Sequence, residues 1–185
     1  MSPGGHLVTT VAACAASAAL SGSLPLTAGV ALGGFLIDVD HAIDYVVVER
    51  QRDLRPGTFL RYYMEGRTRR TVLILHSYEL FALLIALAWW TQALPLWGYL
   101  LGGLMHLGLD LRFNGEATPR SIGAFYSFTY RLAHRFDAGV LLGDREPPAP
   151  GTFWRTFFAE FTGGGRRGGA AASQASRPPA SMRGE

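Results

Sequence analysis

The sequence contains no lysine, so all 17 of its basic side chains are arginine. It has one cysteine, Cys14, which excludes an intrachain disulfide and a zinc site built from several thiolates. Charge of either sign is missing from residues 1–37, and residues 71–111 carry only Glu79 and Asp110. A water-soluble domain spreads charge over every exposed face, so two long uncharged stretches argue against an ordinary soluble domain. The arginines are confined to 50–70 and 112–183, beside the apolar runs. Despite a pI near 9.3, that placement suits a membrane surface better than nucleic acid, which is not expected as a partner.

What is present is apolar sequence in two blocks. The first, 7–37, is too long for one span of about 20 residues and is interrupted at Ser21-Gly22-Ser23-Leu24-Pro25. The second, 72–111, is interrupted at Thr91-Gln92-Ala93-Leu94-Pro95. Each block divides into a hairpin, giving helices over roughly 6–21, 25–40, 72–92 and 95–113, with Pro25 and Pro95 in the first turn of the helices they open. The Ala- and Gly-rich first pair permits close helix packing and self-association into a homo-oligomer. Trp89, Trp90 and Trp97 flank the second turn, as expected at a membrane boundary.

The expected fold class is therefore all-α: a polytopic membrane protein with four transmembrane helices in two hairpins, inside a helical membrane domain of residues 1–162. Residues 41–70 form a polar cytoplasmic segment. Residues 120–136 and 152–161 interleave aromatics with arginine, as amphipathic interfacial helices do; Phe153, Phe157 and Phe161 recur at i, i+4 and i+8. Residues 163–185, rich in Gly, Ala, Ser, Pro and Arg, read as a disordered tail. The arginine bias places both termini and the central segment on the cytoplasmic side of the cell inner (plasma) membrane. Two other interpretations use the same runs. Val11-Ala12-Ala13-Cys14 has the look of a lipoprotein cleavage box, though no positive region precedes it. A soluble bundle with buried hairpins is the other.

On this topology the polar residues gather at one end. His6 opens the first helix, Asp38, Asp40 and His41 close the second, His76 begins the third and Asp110 ends the fourth, with His106 one turn deeper. His76/Glu79 and His106/Asp110 fall at i,i+3 and i,i+4, each pair on one helix face. Ionisable groups within membrane segments are costly and need partners. Imidazole and carboxylate together suit zinc, manganese or iron(II), zinc first among them. Asp40, His76, His106 and Asp110 are the leading ligands, with His6, Asp38 and His41 behind them. The set is large enough for two metals bridged by a carboxylate. Metal-activated water would act as nucleophile, and Glu79 or Asp38 would take its proton. Arg70, Arg112, Arg131 and Asn114 are candidates for holding a phosphate, the arginines through bidentate hydrogen bonds. Singly, each of these has an ordinary explanation: a helix cap, an interfacial histidine, a topogenic arginine. Their convergence is what points to a site. The expected partners are membrane lipids and a phosphorylated or lipid substrate. A non-enzymatic scaffold with a structural metal cluster and a small transporter subunit remain as alternatives.

His6, Gly34-Phe35-Leu36-Ile37-Asp38-Val39-Asp40-His41, Leu75-His76-Ser77 and His106-Leu107-Gly108-Leu109-Asp110 resemble a family of bacterial and archaeal inner-membrane proteins labelled membrane-bound metal-dependent hydrolases, which includes a LexA-regulated member. That family carries an N-terminal His, a P-D-x-D-H motif, an H-R-x-x-T-H-S motif and an H-x-x-x-D motif. The resemblance covers roughly residues 6–114 and implies a divergent member. Ile37 replaces the motif proline, and of the third motif only His76-Ser77 remains, with Arg70 displaced upstream. The order of ligands is also similar to the zinc phospholipase C group of all-helical phosphodiesterases.

Overall fold

Two helical hairpins are punctuated by the residues that the sequence offers for the purpose. In α1 (Pro3–Ser21), Ser2 caps the start by accepting from the Gly5 N–H, and Gly22 closes the end at φ 60°, a left-handed conformation that glycine adopts without strain. Ser23 and Pro25 then open α2 (Leu24–Gly34). The computed structural model describes residues 1–114, 121–143 and 151–158. Its regular structure is helical throughout; the described residues contain no β-strand, only an isolated antiparallel bridge between Arg70 and Asp137. The all-α expectation holds.

The second helix is shorter than expected. It stops at Gly34 rather than near 40, because the Gly33-Gly34 pair is poor helix former and the chain bends. A 3-10 turn (Leu36–Asp38), α3 (Val39–Ile43) and a π-helical turn (Asp44–Val48) follow, bent by 45° from α2. The polar segment then forms α4 (Pro56–Met64). The expected third span, 72–92, also begins late. Ile74–His76 is a 3-10 turn after Leu73 at φ 47°, Ser77 is extended, and α5 covers Tyr78–Thr91. Gln92 at φ 54° ends α5, and Pro95 lies in the first turn of α6 (Leu94–Phe113).

The expected interfacial helix over 120–136 is broken. It divides into α7 (Ile122–Phe125) and α8 (Phe128–Ala133), because Ser127 caps α8 by accepting from the Tyr130 N–H. α9 (Ala138–Leu142) follows, and α10 (Phe153–Phe157) covers part of the expected 152–161. Residues 159–161 and the expected tail at 163–185 lie outside the described residues.

What positions the polar end is the contact of α2 with α6. Gly29 and Gly33 face Gly98 and Gly102 with backbone against backbone: a Cβ on Gly33 would lie 2.1 Å from the Tyr99 carbonyl oxygen, and one on Gly98 2.1 Å from that of Leu26. Small residues at a four-residue spacing permit such an approach. Ile37, Phe81, Leu100, Leu107 and Phe125 belong to the buried apolar core. The outer faces are apolar too: Leu20 is 88% exposed, Leu24 79% and Trp90 83%. α1 is long and apolar enough to cross a membrane by length and composition. α2 taken with Leu36–Val48 makes a second such unit if the bent pair counts as one. α5 is apolar but only 14 residues long.

Candidate metal centre

The centre is assembled where four chain segments meet at one end of the bundle. The α2–α6 contact brings the end of α2 against His106, whose Nδ1 lies 2.9 Å from the Gly34 carbonyl oxygen. That oxygen belongs to a helix terminus and has no intrahelical partner. It can only accept, so His106 Nδ1 carries the N–H and donates to it, and Nε2 is the ring nitrogen turned toward the other donors.

His76 is held differently. Asp44 Oδ2 accepts from the backbone N–H groups of Val72 (2.7 Å) and Leu73 (3.2 Å), and Asp40 Oδ2 accepts from those of Leu75 (2.6 Å) and His76 (3.3 Å). From the other side Arg131 donates to the carbonyls of Leu73 (2.8 Å) and His76 (3.2 Å), and also of Phe125 (2.6 Å). Two carboxylates on the N–H groups and one guanidinium on the carbonyls thus fix a short irregular segment that includes the left-handed Leu73. Asp40 Oδ2 also lies 3.4 Å from His76 Nδ1. A carboxylate behind an imidazole assigns the proton to that nitrogen and turns the other toward a metal.

The donor atoms now converge. His76 Nε2 and His106 Nε2 are 3.3 Å apart, and Asp38 Oδ1 lies 3.4 Å from His106 Nε2 and 3.5 Å from His76 Nε2. His41 Nε2 is 3.8 Å from the same Asp38 oxygen. Asp110 uses both oxygens, Oδ2 at 3.5 Å from His106 Nε2 and Oδ1 at 3.0 Å from His6 Nε2. The His6 and His106 rings stack at 3.6 Å with an 11° interplanar angle. Two groups of three follow, His6/His106/Asp110 and Asp38/His41/His76, each with its donors within 4.8 Å of one another.

This arrangement fits a divalent cation. Tetrahedral coordination at about 2.0–2.1 Å sets donors about 3.3 Å apart, matching the His76–His106–Asp38 spacing. With both rings neutral and protonated at Nδ1, two lone pairs would face each other at 3.3 Å, and a cation between them would reverse the sign of that interaction. Access is one-sided. His6, His106 and Asp110 are buried, whereas the side chains of Asp38 and His41 are 29% and 32% exposed. The open edge of the centre is therefore at Asp38 and His41.

Of the expected site residues, His6, Asp38, His41, His76, His106 and Asp110 face one another. Asp40 stands behind His76. Asn114 is at the rim, donating to Asp110 Oδ1 at 2.8 Å; the amino group of Met1 also reaches Asp110 and Asn114. Glu79 is placed elsewhere. Its carboxylate accepts from Ser127 Oγ (2.6 Å) and the N–H groups of Phe128 (2.8 Å) and Thr129 (3.0 Å), so it caps α8. Arg131 is fully buried and donates to backbone carbonyls, Arg112 lies exposed over Phe113, and Arg70 is exposed beside Glu49.

Three contributors were not singled out from sequence. Asp44 lies three residues after His41 on a helical path, a spacing that extends the Asp38-x-Asp40-His41 pattern and gives a usable signal. Tyr63 donates to the His41 carbonyl at 2.6 Å and sets its ring edge-on to the imidazole. Tyr126 is buried against His76, its hydroxyl directed to Asp110 and Asn114; burial and the Asp110 charge hold that phenol above its ordinary range. Neither tyrosine has a local sequence signal. Comparison of the chain with protein-family models, with curated proteins and with solved structures gives no match.

Proposed function

We propose that the protein is a membrane-bound, divalent-metal-dependent hydrolase acting at the cytoplasmic face of the inner membrane, with a lipid or other phosphodiester as its substrate class. One observation carries the proposal: six imidazole and carboxylate side chains from four separate chain segments converge with ligand-like spacing. Gly34 and Asp40 sit at the Nδ1 atoms of His106 and His76 and so turn both Nε2 atoms toward the centre. A zinc ion held there would supply a Lewis acid and make water acidic near neutral pH; manganese or iron(II) suits the same donors.

The remaining chemistry belongs to the chain. Asp40 and the Gly34 carbonyl orient His76 and His106. Asp38 and His41, on the exposed edge, meet what approaches from solvent. Tyr126 and Asn114 hold Asp110 in position. Full burial of His6, His106 and Asp110 also favours a second reading, a structural metal cap on a scaffold; the open edge at Asp38 and His41 favours hydrolysis.

Membrane placement is supported by the exposed apolar faces of both hairpins. A soluble monomer rarely exposes so large an apolar surface, and here Leu20, Leu24, Leu83, Trp89 and Trp90 are all 65% exposed or more. α5 is about 21 Å long, so the second hairpin spans with help from the turn that precedes it or with local thinning of the bilayer. The seven arginines at 50–70 lie between the hairpins and assign that end to the cytoplasm.

The test is the metal content of detergent-purified protein, alone and with His106→Ala and Asp110→Asn, alongside hydrolysis of a chromogenic phosphodiester. Metal near stoichiometry, with metal and hydrolysis both lost in the variants, is the expected result. Absence of metal from the unmutated protein would sink the proposal. Metal without any hydrolysis would favour the structural cap. Reporter fusions at the C-terminus should report cytoplasmic.

A further inference from the structure

We infer that the centre takes two divalent cations bridged by Asp38, and that it recognises the anionic oxygens of its phosphoester substrate through those ions rather than through arginine. This rests on the metal-dependent reading above and goes further in fixing nuclearity and the source of charge.

The donors outnumber what one ion accepts. A zinc with an open position takes three protein ligands, and six donors are present in two complete groups, His6/His106/Asp110 and Asp38/His41/His76. Asp38 connects them. Its Oδ1 stands 3.5 Å from His76 and 3.8 Å from His41 in its own group, and 3.4 Å from His106 in the other. A carboxylate between two groups of ligands is the arrangement that pairs of catalytic ions share. The second Asp110 oxygen is also committed, to His6, so neither group is the leftover of the other. His6 Nδ1 and His41 Nδ1 are buried with no hydrogen-bond partner; unlike His76 and His106, these two rings have no carboxylate or carbonyl at Nδ1, and each turns its Nε2 toward a cluster carboxylate, Asp110 for His6 and Asp38 for His41.

Charge points the same way. The cluster holds three carboxylates, Asp38, Asp40 and Asp110. The amino group of Met1 lies 3.2 Å from Asp110, so one divalent cation brings this set to neutrality, which holds no anion, and two leave it net positive. No described arginine reaches the open edge to make up the difference: Arg131 is consumed by the carbonyls of Leu73, His76 and Phe125, and Arg112 lies over Phe113. With the amino group of Met1 committed to Asp110 and Asn114, a phosphoester meeting this edge would find its counter-charge in the ions.

The experiment is titration of the chelator-stripped, full-length protein in detergent with Mn²⁺, followed by electron paramagnetic resonance and by binding of inorganic phosphate. Expected are two ions per chain at saturation, a spin-coupled manganese signal, and phosphate binding at least tenfold tighter at two ions than at one. His41→Ala should retain one ion, lose the coupled signal and lose phosphate binding; His6→Ala should likewise drop to one. Saturation of the unmutated protein at one ion, or phosphate binding equal at one and two ions, would overturn the inference while leaving a mononuclear hydrolase standing. No bound ion at all would overturn both. The titration of the unmutated chain decides even where a variant fails to fold.

Discussion

Replacing Gly33 by alanine tests whether the α2–α6 backbone contact builds the centre. A Cβ at Gly33 would lie 2.1 Å from the Tyr99 carbonyl oxygen and 2.7 Å from the Gly103 nitrogen. Both are main-chain atoms of a helix, so neither can turn aside as a side chain would. Ordinary contact requires more than 3.4 Å, so the helices must separate locally by about 1 Å, a displacement of the kind that overpacking costs about 1–3 kcal/mol. Asp38 follows the end of α2, while His106 and Asp110 ride on α6. Their 3.4 Å approach would therefore open by a similar amount, against a tolerance of about 0.2 Å for metal–ligand distances. The variant should lose several degrees in melting temperature and at least tenfold in metal affinity, read by thermal scanning with and without chelator and by competition with a coloured zinc indicator. Gly108→Ala is the control on α6: nothing lies within 4 Å of a Cβ there, and removing a mid-helix glycine should stabilise by about 0.5–1 kcal/mol. If Gly33→Ala matches Gly108→Ala in both measurements, the helix contact does not set the donor spacing and the reasoning fails.

Other residues separate roles that the sequence leaves merged. Asp40→Asn removes the carboxylate behind His76 but no direct ligand, so metal affinity should fall about 10–100-fold, short of the loss in Asp38→Asn; equal losses would place Asp40 on the metal. Glu79→Gln weakens the cap of α8 and should cost about 1 kcal/mol of stability with metal content and hydrolysis unchanged, whereas loss of hydrolysis at full metal occupancy would restore Glu79 as the base. Arg131→Met strips a buried cation from three carbonyls and should destabilise by about 3 kcal/mol or more, seen as a lower melting temperature. A stable Arg131→Met protein with weakened phosphate affinity would instead make it a substrate ligand.

Much of the centre could be read from the chain because hairpins obey simple geometry. Two helical hairpins with uncharged turns return all their other ends to one side, so His6, Asp38, His41, His76, His106 and Asp110 had to meet if the hairpins packed. The failure at Glu79 has a definite cause. Its placement three residues after His76 implies a shared face only within one helix, and the chain between them is not helical: His76 ends a 3-10 turn and Ser77 is extended at ψ 136°. That break is made by Asp40, Asp44 and Arg131, whose bonds to backbone atoms of residues 72–76 are long-range and leave no periodic trace. The early end of α2 was half legible, since Gly33-Gly34 weakens a helix. Arg131 was not legible at all. An arginine in an aromatic, arginine-bearing stretch looks like a surface group until its burial against three carbonyls is seen.

The glycine contact also bears on transport, the alternative that uses the same residue types. A path for ions or protons needs polar groups stepping across the bundle, with room between them. Between α2 and α6 the facing surfaces are backbone from the Leu26–Gly98 contact to the Val30–Gly102 contact, where an added Cβ would lie 2.1 and 2.3 Å from carbonyl oxygens. No solute passes through spacing that excludes a methyl group. The buried acids and histidines begin only past that seal, with Gly34 bonded to His106, and the hairpin turns at the opposite end carry Trp89 and Trp90 in exposed positions. Histidines and acids confined to one end of this closed contact can bind from one side, and the α2–α6 seam offers them no route to the other. The packing that would block a channel is the packing that brings Asp38 to His106, so the same contact favours a one-sided centre over a pathway.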